Sequence, residues 1–143
     1  MANIFSDDFA KKNSRNGTFG AAWTDTFTIN KPAAIGDKIY LGVLYPSVIY
    51  TDIDLNFDAL GAGATLSLGY EAYASGSNLT AAPIAPNLTY WQSGLSVAAA
   101  GGSASRAHAI EFADAVALVA TVAGGAITGR ITATPIGNGV GVK

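Results

Sequence analysis

The sequence predicts an all-β protein: an antiparallel β-sandwich or jelly-roll-like domain behind an extended N-terminal arm. Three observations carry this. Six stretches between residues 22 and 134 alternate apolar and polar side chains with a period of two, as half-buried strands do. Short links rich in Gly and Pro join several of them, which favours antiparallel neighbours. The chain has 143 residues and no Cys, long enough to bury one core without disulfide staples.

Residues 1–21 are polar, with Asp7, Asp8, Lys11, Lys12 and Arg15, and show no hydrophobic period. They are read as the extended arm. The sandwich domain is expected over residues 22–136. In Ala22–Ile29, Trp23, Phe27 and Ile29 oppose Thr24, Thr26 and Thr28. In Asp37–Tyr45, Ile39, Leu41, Val43 and Tyr45 share a face. In Val48–Asp58, Ile49, Ile53, Leu55 and Phe57 turn inward, with Asp52, Asp54, Asn56 and Asp58 outward. In Ala64–Tyr73, Leu66, Leu68 and Tyr70 alternate with Thr65, Ser67 and Glu71. Residues 72–105 are read as a long uncharged loop region. In Ala115–Val122, Val116, Leu118 and Val122 line one face, and Ala117 and Val119 keep the other apolar too. In Ile127–Thr134, Ile127, Ile131 and Ala133 oppose Thr128, Arg130 and Thr132. Ala123-Gly-Gly-Ala126 reads as a hairpin turn between these last two strands, with Gly124 and Gly125 at positive φ. Residues 137–143, beginning Gly-Asn-Gly, read as a flexible C-terminal tail.

Composition narrows the function classes. Without Cys, thiolate metal sites and cysteine nucleophiles are excluded, and the single His, His108, excludes a His-rich metal site. No cofactor or metal is expected. Only 13% of residues are charged and the net charge is −2, which argues against a nucleic-acid partner. The most apolar stretch, Ala115–Gly129, is too short for a membrane helix and is broken by Gly124-Gly125, so no membrane partner is expected. The N-terminus lacks the apolar run of a secretory signal, which points to synthesis in a cytoplasm.

Chemistry-bearing motifs are few. Asp52-Ile-Asp54-Leu-Asn56-Phe-Asp58 begins like a calcium loop, but Phe57 and Gly63 stand where that loop needs Gly and Glu. On a strand, alternate residues share a face about 6.8 Å apart. Asp52, Asp54 and Asp58 therefore form either an ordinary solvated face or an acidic stripe suited to Lys or Arg of a partner. Gly61-Ala-Gly63 lacks the third Gly of a dinucleotide fingerprint. His108 has no G-x-S-x-G elbow to serve, so an enzyme is not expected. Residues 72–105 carry no charge over 34 positions yet include Tyr90 and Trp91. Such a stretch either folds back on its own sandwich or is buried against another subunit. Phe5, Phe9 and Phe19 are the candidate anchors of the arm.

One block resembles a known group. Ile35-Gly-Asp-Lys-Ile-Tyr-Leu-Gly-Val-Leu-Tyr-Pro46, then Asp54-Leu-Asn-Phe-Asp-Ala-Leu-Gly-Ala-Gly-Ala-Thr-Leu-Ser-Leu-Gly69, is similar to small virion proteins of tailed bacteriophages. Tyr90-Trp91 with Ala98–Gly102, Ile110-Glu-Phe112, and Ala117–Ile131 continue the likeness, which covers roughly residues 33–134. The chain departs from the group at Tyr45-Pro46-Ser47 and at Tyr70-Glu-Ala-Tyr73.

The resemblance implies a non-enzymatic structural component of a phage head. The commonest role it implies is decoration, or cementing, of the outer capsid surface, as a homotrimer or dimer bound to the major capsid protein. The implied location is the virion. Two other readings stay open: another virion part such as a connector, tail or head-fibre component, and a carbohydrate- or host-surface-binding sandwich using Tyr70, Tyr73, Tyr90 and Trp91.

Overall fold

The computed structural model describes residues 2–6, 22–24, 26–46, 48–72, 84–105, 109–113 and 115–139. Among them are eleven strands and no helix: β1 (Asn3–Phe5), β2 (Ala22–Thr24), β3 (Phe27–Asn30), β4 (Lys38–Leu44), β5 (Val48–Phe57), β6 (Thr65–Ala72), β7 (Asn87–Ser96), β8 (Gly101–Ser105), β9 (Ile110–Glu111), β10 (Val116–Ala123) and β11 (Arg130–Gly139).

They form two sheets, one ordered β1-β4-β10-β6-β7 and the other β2-β11-β5-β8, with β3 also on β11 and β9 also on β5. The pairings nest. β3 meets β11, β4 meets β10, β5 meets β8 and β9, and β6 meets β7, all antiparallel. A chain folded back on itself at its middle, then wrapped so that successive pairs fall in alternate sheets, is a jelly roll. The expected all-β sandwich is therefore present. β1 and β2 are additions at its rims.

The core lies between the sheets. Ile39, Leu41, Leu44, Leu66, Leu68 and Leu118 come from one sheet, Tyr50, Ile53, Leu55 and Ile131 from the other, each no more than 1% exposed. A second, smaller cluster, Tyr40, Val43, Ala117 and Val119, lies on the opposite face of the first sheet. β10, central in that sheet, is accordingly apolar on both faces, as its sequence reads.

Several expectations need correction. Val43 and Tyr45 do not share the face of Ile39 and Leu41. Gly42 pairs with Leu118 and Tyr40 with Val119, so Leu41 is an extra residue that bulges β4 and flips the alternation after it. The Ala123–Ala126 link is not a hairpin, because β10 and β11 lie in opposite sheets. Gly124 alone of the pair has positive φ, at 74°, and a Cβ there would strike the carbonyl of Gly63 in the adjacent β5–β6 link. The uncharged region holds β7 and β8, whose Gly, Ser and Asn mask the strand signal. Residues 137–139 of the expected tail are strand. Gly137 sits so close to β5 that a Cβ would lie 2.6 Å from the carbonyl of Ile49, so glycine serves packing there. Pro135 does not end β11, because it falls between the stretch paired with β3 and the stretch paired with β2. In the arm, Asn3–Phe5 is a strand, while residues 7–21 lie outside the described residues.

Candidate functional site

The most elaborated surface is the β1–β4 rim. β1 runs parallel to β4, with Asn3 beside Lys38, Ile4 beside Ile39 and Phe5 beside Tyr40. Asp37, only 7% exposed, closes one end. Its carboxylate accepts the Ala2 N–H and the Ala34 N–H, both at 2.8 Å. Those two backbone bonds hold it below the usual carboxylate range. At the other end the Ser6 hydroxyl donates to the Leu41 carbonyl at 2.5 Å, and Lys31 donates to the Phe5 carbonyl at 2.7 Å.

Beside this rim three side chains interlock. Lys38 donates to Glu71 at 2.9 Å, and the Tyr40 hydroxyl donates to the other Glu71 oxygen. Burial first, then the bond to Glu71, pushes the Tyr40 phenol up to about 12. Burial also pushes Glu71 up, but the bonds from Tyr40 and Lys38 outweigh it and leave the carboxyl low. The Phe5 ring stacks on Tyr40, centroids 4.7 Å apart and 15° from coplanar.

A second surface lies where the β3–β4, β5–β6 and β10–β11 links converge. Ala33 and Ile127 bond to each other in both directions, and Thr128 donates to the Leu60 carbonyl at 2.9 Å. Around them runs a groove of about 570 Å³ lined by Pro32, Ala33, Ala34, Leu60, Gly61 and Ile127, among others. Ile35, 61% exposed, is in the same β3–β4 link. Its neighbours along the groove carry no charge.

The residues singled out in the sequence do not converge on one place. Phe5 is 46% exposed on the rim, whereas Phe9 and Phe19 lie outside the described residues. Asp52 and Asp54 are half-buried on β5, and Asp58 is exposed. Asp58 pairs with the chain's own Arg130 at 3.5 Å, so one position of the acidic stripe is served internally. Trp91 needs correction as an interface residue: it is 6% exposed and belongs to the chain's own core. Its ring meets Tyr70, Tyr90 and Phe112 edge-on, with centroids 5.8, 5.1 and 6.4 Å away. Tyr90 is half-buried in the same cluster. Edge-to-face packing around a buried Trp is core geometry and offers no flat platform to a sugar ring.

Tyr73 and His108 lie outside the described residues. Among the described residues no three His, Asp or Glu come together as a metal site, and no helix is long and apolar enough to cross a membrane. The rim itself was not singled out from sequence. Nothing in the alternation of β4 marks Tyr40, and the parallel partnership of residues 35 positions apart has no local signature.

No protein-family model matches the sequence, and no curated protein matches it. Among solved structures, the fold is similar to a chain in the capsid of Ralstonia phage GP4, with a TM-score of 0.73 and 24% identity over 99% of both chains. It is also similar to a chain in the cyanophage Pam1 capsid asymmetric unit, with a TM-score of 0.58 and 17% identity over 93% of this chain and 95% of that one. At these identities the likeness establishes the fold.

Proposed function

We propose that this protein is a structural component of a phage head that binds the outer surface of the mature capsid and stabilises it. The observation that carries the reading is the match, at a TM-score of 0.73 over 99% of both chains, to a chain of a phage capsid. The jelly roll is a rigid body frequent in capsid proteins. The chain's sparse charge also suits a molecule whose work is contact area, since interface cores are depleted of charge. In this reading the partners are the major capsid protein and further copies of the chain, as a trimer or dimer. Phe5, together with Phe9 and Phe19 of the arm, supplies anchors, Asp52 and Asp54 meet basic groups, and no step of catalysis is involved.

A protein that binds the expanded shell and not its separated subunits stabilises the shell by mass action, by about 2.7 kcal/mol per site at a hundredfold excess over Kd. The test adds purified protein to expanded shells that lack it, and follows co-sedimentation and the shell's disruption temperature. Saturable binding at sites repeated over the whole shell, with a disruption temperature that climbs with protein concentration, is expected. Labelled protein found only at a single vertex would assign it to a connector or tail instead. No binding to any particle would overturn the reading.

A further inference from the structure

We propose that the seat for β1 on β4 is a strand-acceptor site that can be filled by β1 of a second copy of this chain. The seat recognises a short cassette, residues 2–6. The cassette's backbone pairs with Lys38–Tyr40, its first N–H is held by Asp37, Ser6 reaches the Leu41 carbonyl, and Ile4 packs against the main core.

The cassette is also separable. It lies outside the nested β3–β11 wrap, so the jelly roll is topologically complete without it. Its pairing is parallel, and no tight turn ties it to β4. Residues 7–21 separate it from β2 in the opposite sheet, and fifteen residues extend to about 50 Å. With that reach, the cassette can occupy its own seat or a neighbour's with identical contacts, the condition for strand exchange. An empty seat is costly, because it leaves the edge of β4 unpaired beside Ile39, Tyr40 and Leu41. Every copy therefore needs an occupant, and a second copy of this chain carries the same residues 2–6 that fit the seat.

Occupation of a seat by its own cassette does not depend on protein concentration, whereas occupation by a neighbour's does. Exchange between copies therefore grows with protein concentration, as it does for molecules packed side by side. The reading concerns association between copies and is tested on free protein, so its failure leaves the capsid proposal standing.

The absence of Cys makes the test clean. Full-length Asn3→Cys and Lys38→Cys variants, whose altered positions face each other across the seat, are mixed, equilibrated and given a brief oxidant pulse. Disulfides are then mapped by mass. The expected result is a 3–38 bond between different chains, above the level of either variant oxidised alone. Its yield falls as the protein is diluted from about 1 mM to about 10 µM. The Asn3→Cys/Lys38→Cys double variant serves as the geometric control. An intrachain 3–38 bond there, with none between chains in the 1 mM mixture, overturns exchange. Failure of the double variant to form the bond at all, in a folded chain, overturns the seat itself.

Discussion

Burial first, then the hydrogen bond to Glu71 and its charge, make Tyr40 hold its proton, and the Phe5 ring stacks on its own. A phenol whose pKa rises from 10.0 to about 12 on folding binds its proton more tightly in the fold than in the open chain. The stability this gives is complete below about pH 10 and is lost as the pH climbs toward 12. Tyr40→Phe keeps the stack and removes the titration. Urea melts at pH 9 and above should show the parent losing about 1 kcal/mol more than the variant, after allowance for solvent screening. Equal losses in the two proteins would show that Tyr40 is not coupled to the fold. Asp37 has the opposite sign. Its lowered carboxyl stabilises the rim above the ordinary carboxylate value of 3.8 and ceases to do so as the pH falls through the folded pKa. Asp37→Asn leaves one side-chain oxygen for two N–H donors, Ala2 and Ala34. Hydrogen exchange at the Ser6 amide, which is bonded to the Tyr40 carbonyl, should speed up, while amides in β10 keep their protection. Faster exchange throughout β10 as well would mean that β1 is part of the core unit and not an appendage.

At the scale of elements, β6 and β7 show why some strands were legible and others not. Leu66, Leu68 and Tyr70 alternate cleanly with polar residues, and β6 lies where the alternation puts it. β7 is an edge strand with two register shifts against β6, so its apolar residues Leu88, Trp91 and Leu95 are not spaced by twos. Its contact with β6 is closest at Gly69, where a Cβ would strike the backbone of Asn87 and Leu88. Gly69→Ala therefore forces two strands apart and should cost about 2–3 kcal/mol in chemical denaturation. Gly94 offers the contrast. It has φ of 65° with nothing within 4 Å of a would-be Cβ, so Gly94→Ala carries only the backbone cost of about 1 kcal/mol. If the two variants lost equal stability, close approach at Gly69 would not be what holds β7. The bulge at Leu41 was hidden for a similar reason. One inserted residue in Ile39–Tyr45 leaves each half alternating, and only the partner strand reveals that the halves face opposite ways.

At the scale of the whole molecule, alternation identifies a sandwich but does not say which strands share a sheet. Short links suggest neighbours within one sheet, yet the Pro46, Gly61–Gly63 and Gly124–Gly125 links each carry the chain from one sheet to the other. The decisive pairing, β3 with β11, joins Thr28 to Thr132 across 104 positions, and no local signal encodes a partner so distant. That pairing closes the wrap and should govern folding, because a long loop must be ordered before its contacts repay the entropy. Refolding should therefore take milliseconds to seconds, slower than a helical domain of equal length. In a Trp23→Phe background, Trp91 alone reports the core, being 6% exposed when folded. Stopped-flow dilution from urea should show Trp91 burial in step with the far-ultraviolet β signal, as one closure event. Truncation after Arg130 removes β11, the strand that pairs with β2, β3 and β5, and should abolish the cooperative thermal transition altogether. Deleting residues 2–6 should only lower its midpoint. A truncated chain that still melted cooperatively would show that the first sheet folds without closure, and that the two sheets are separable units joined late.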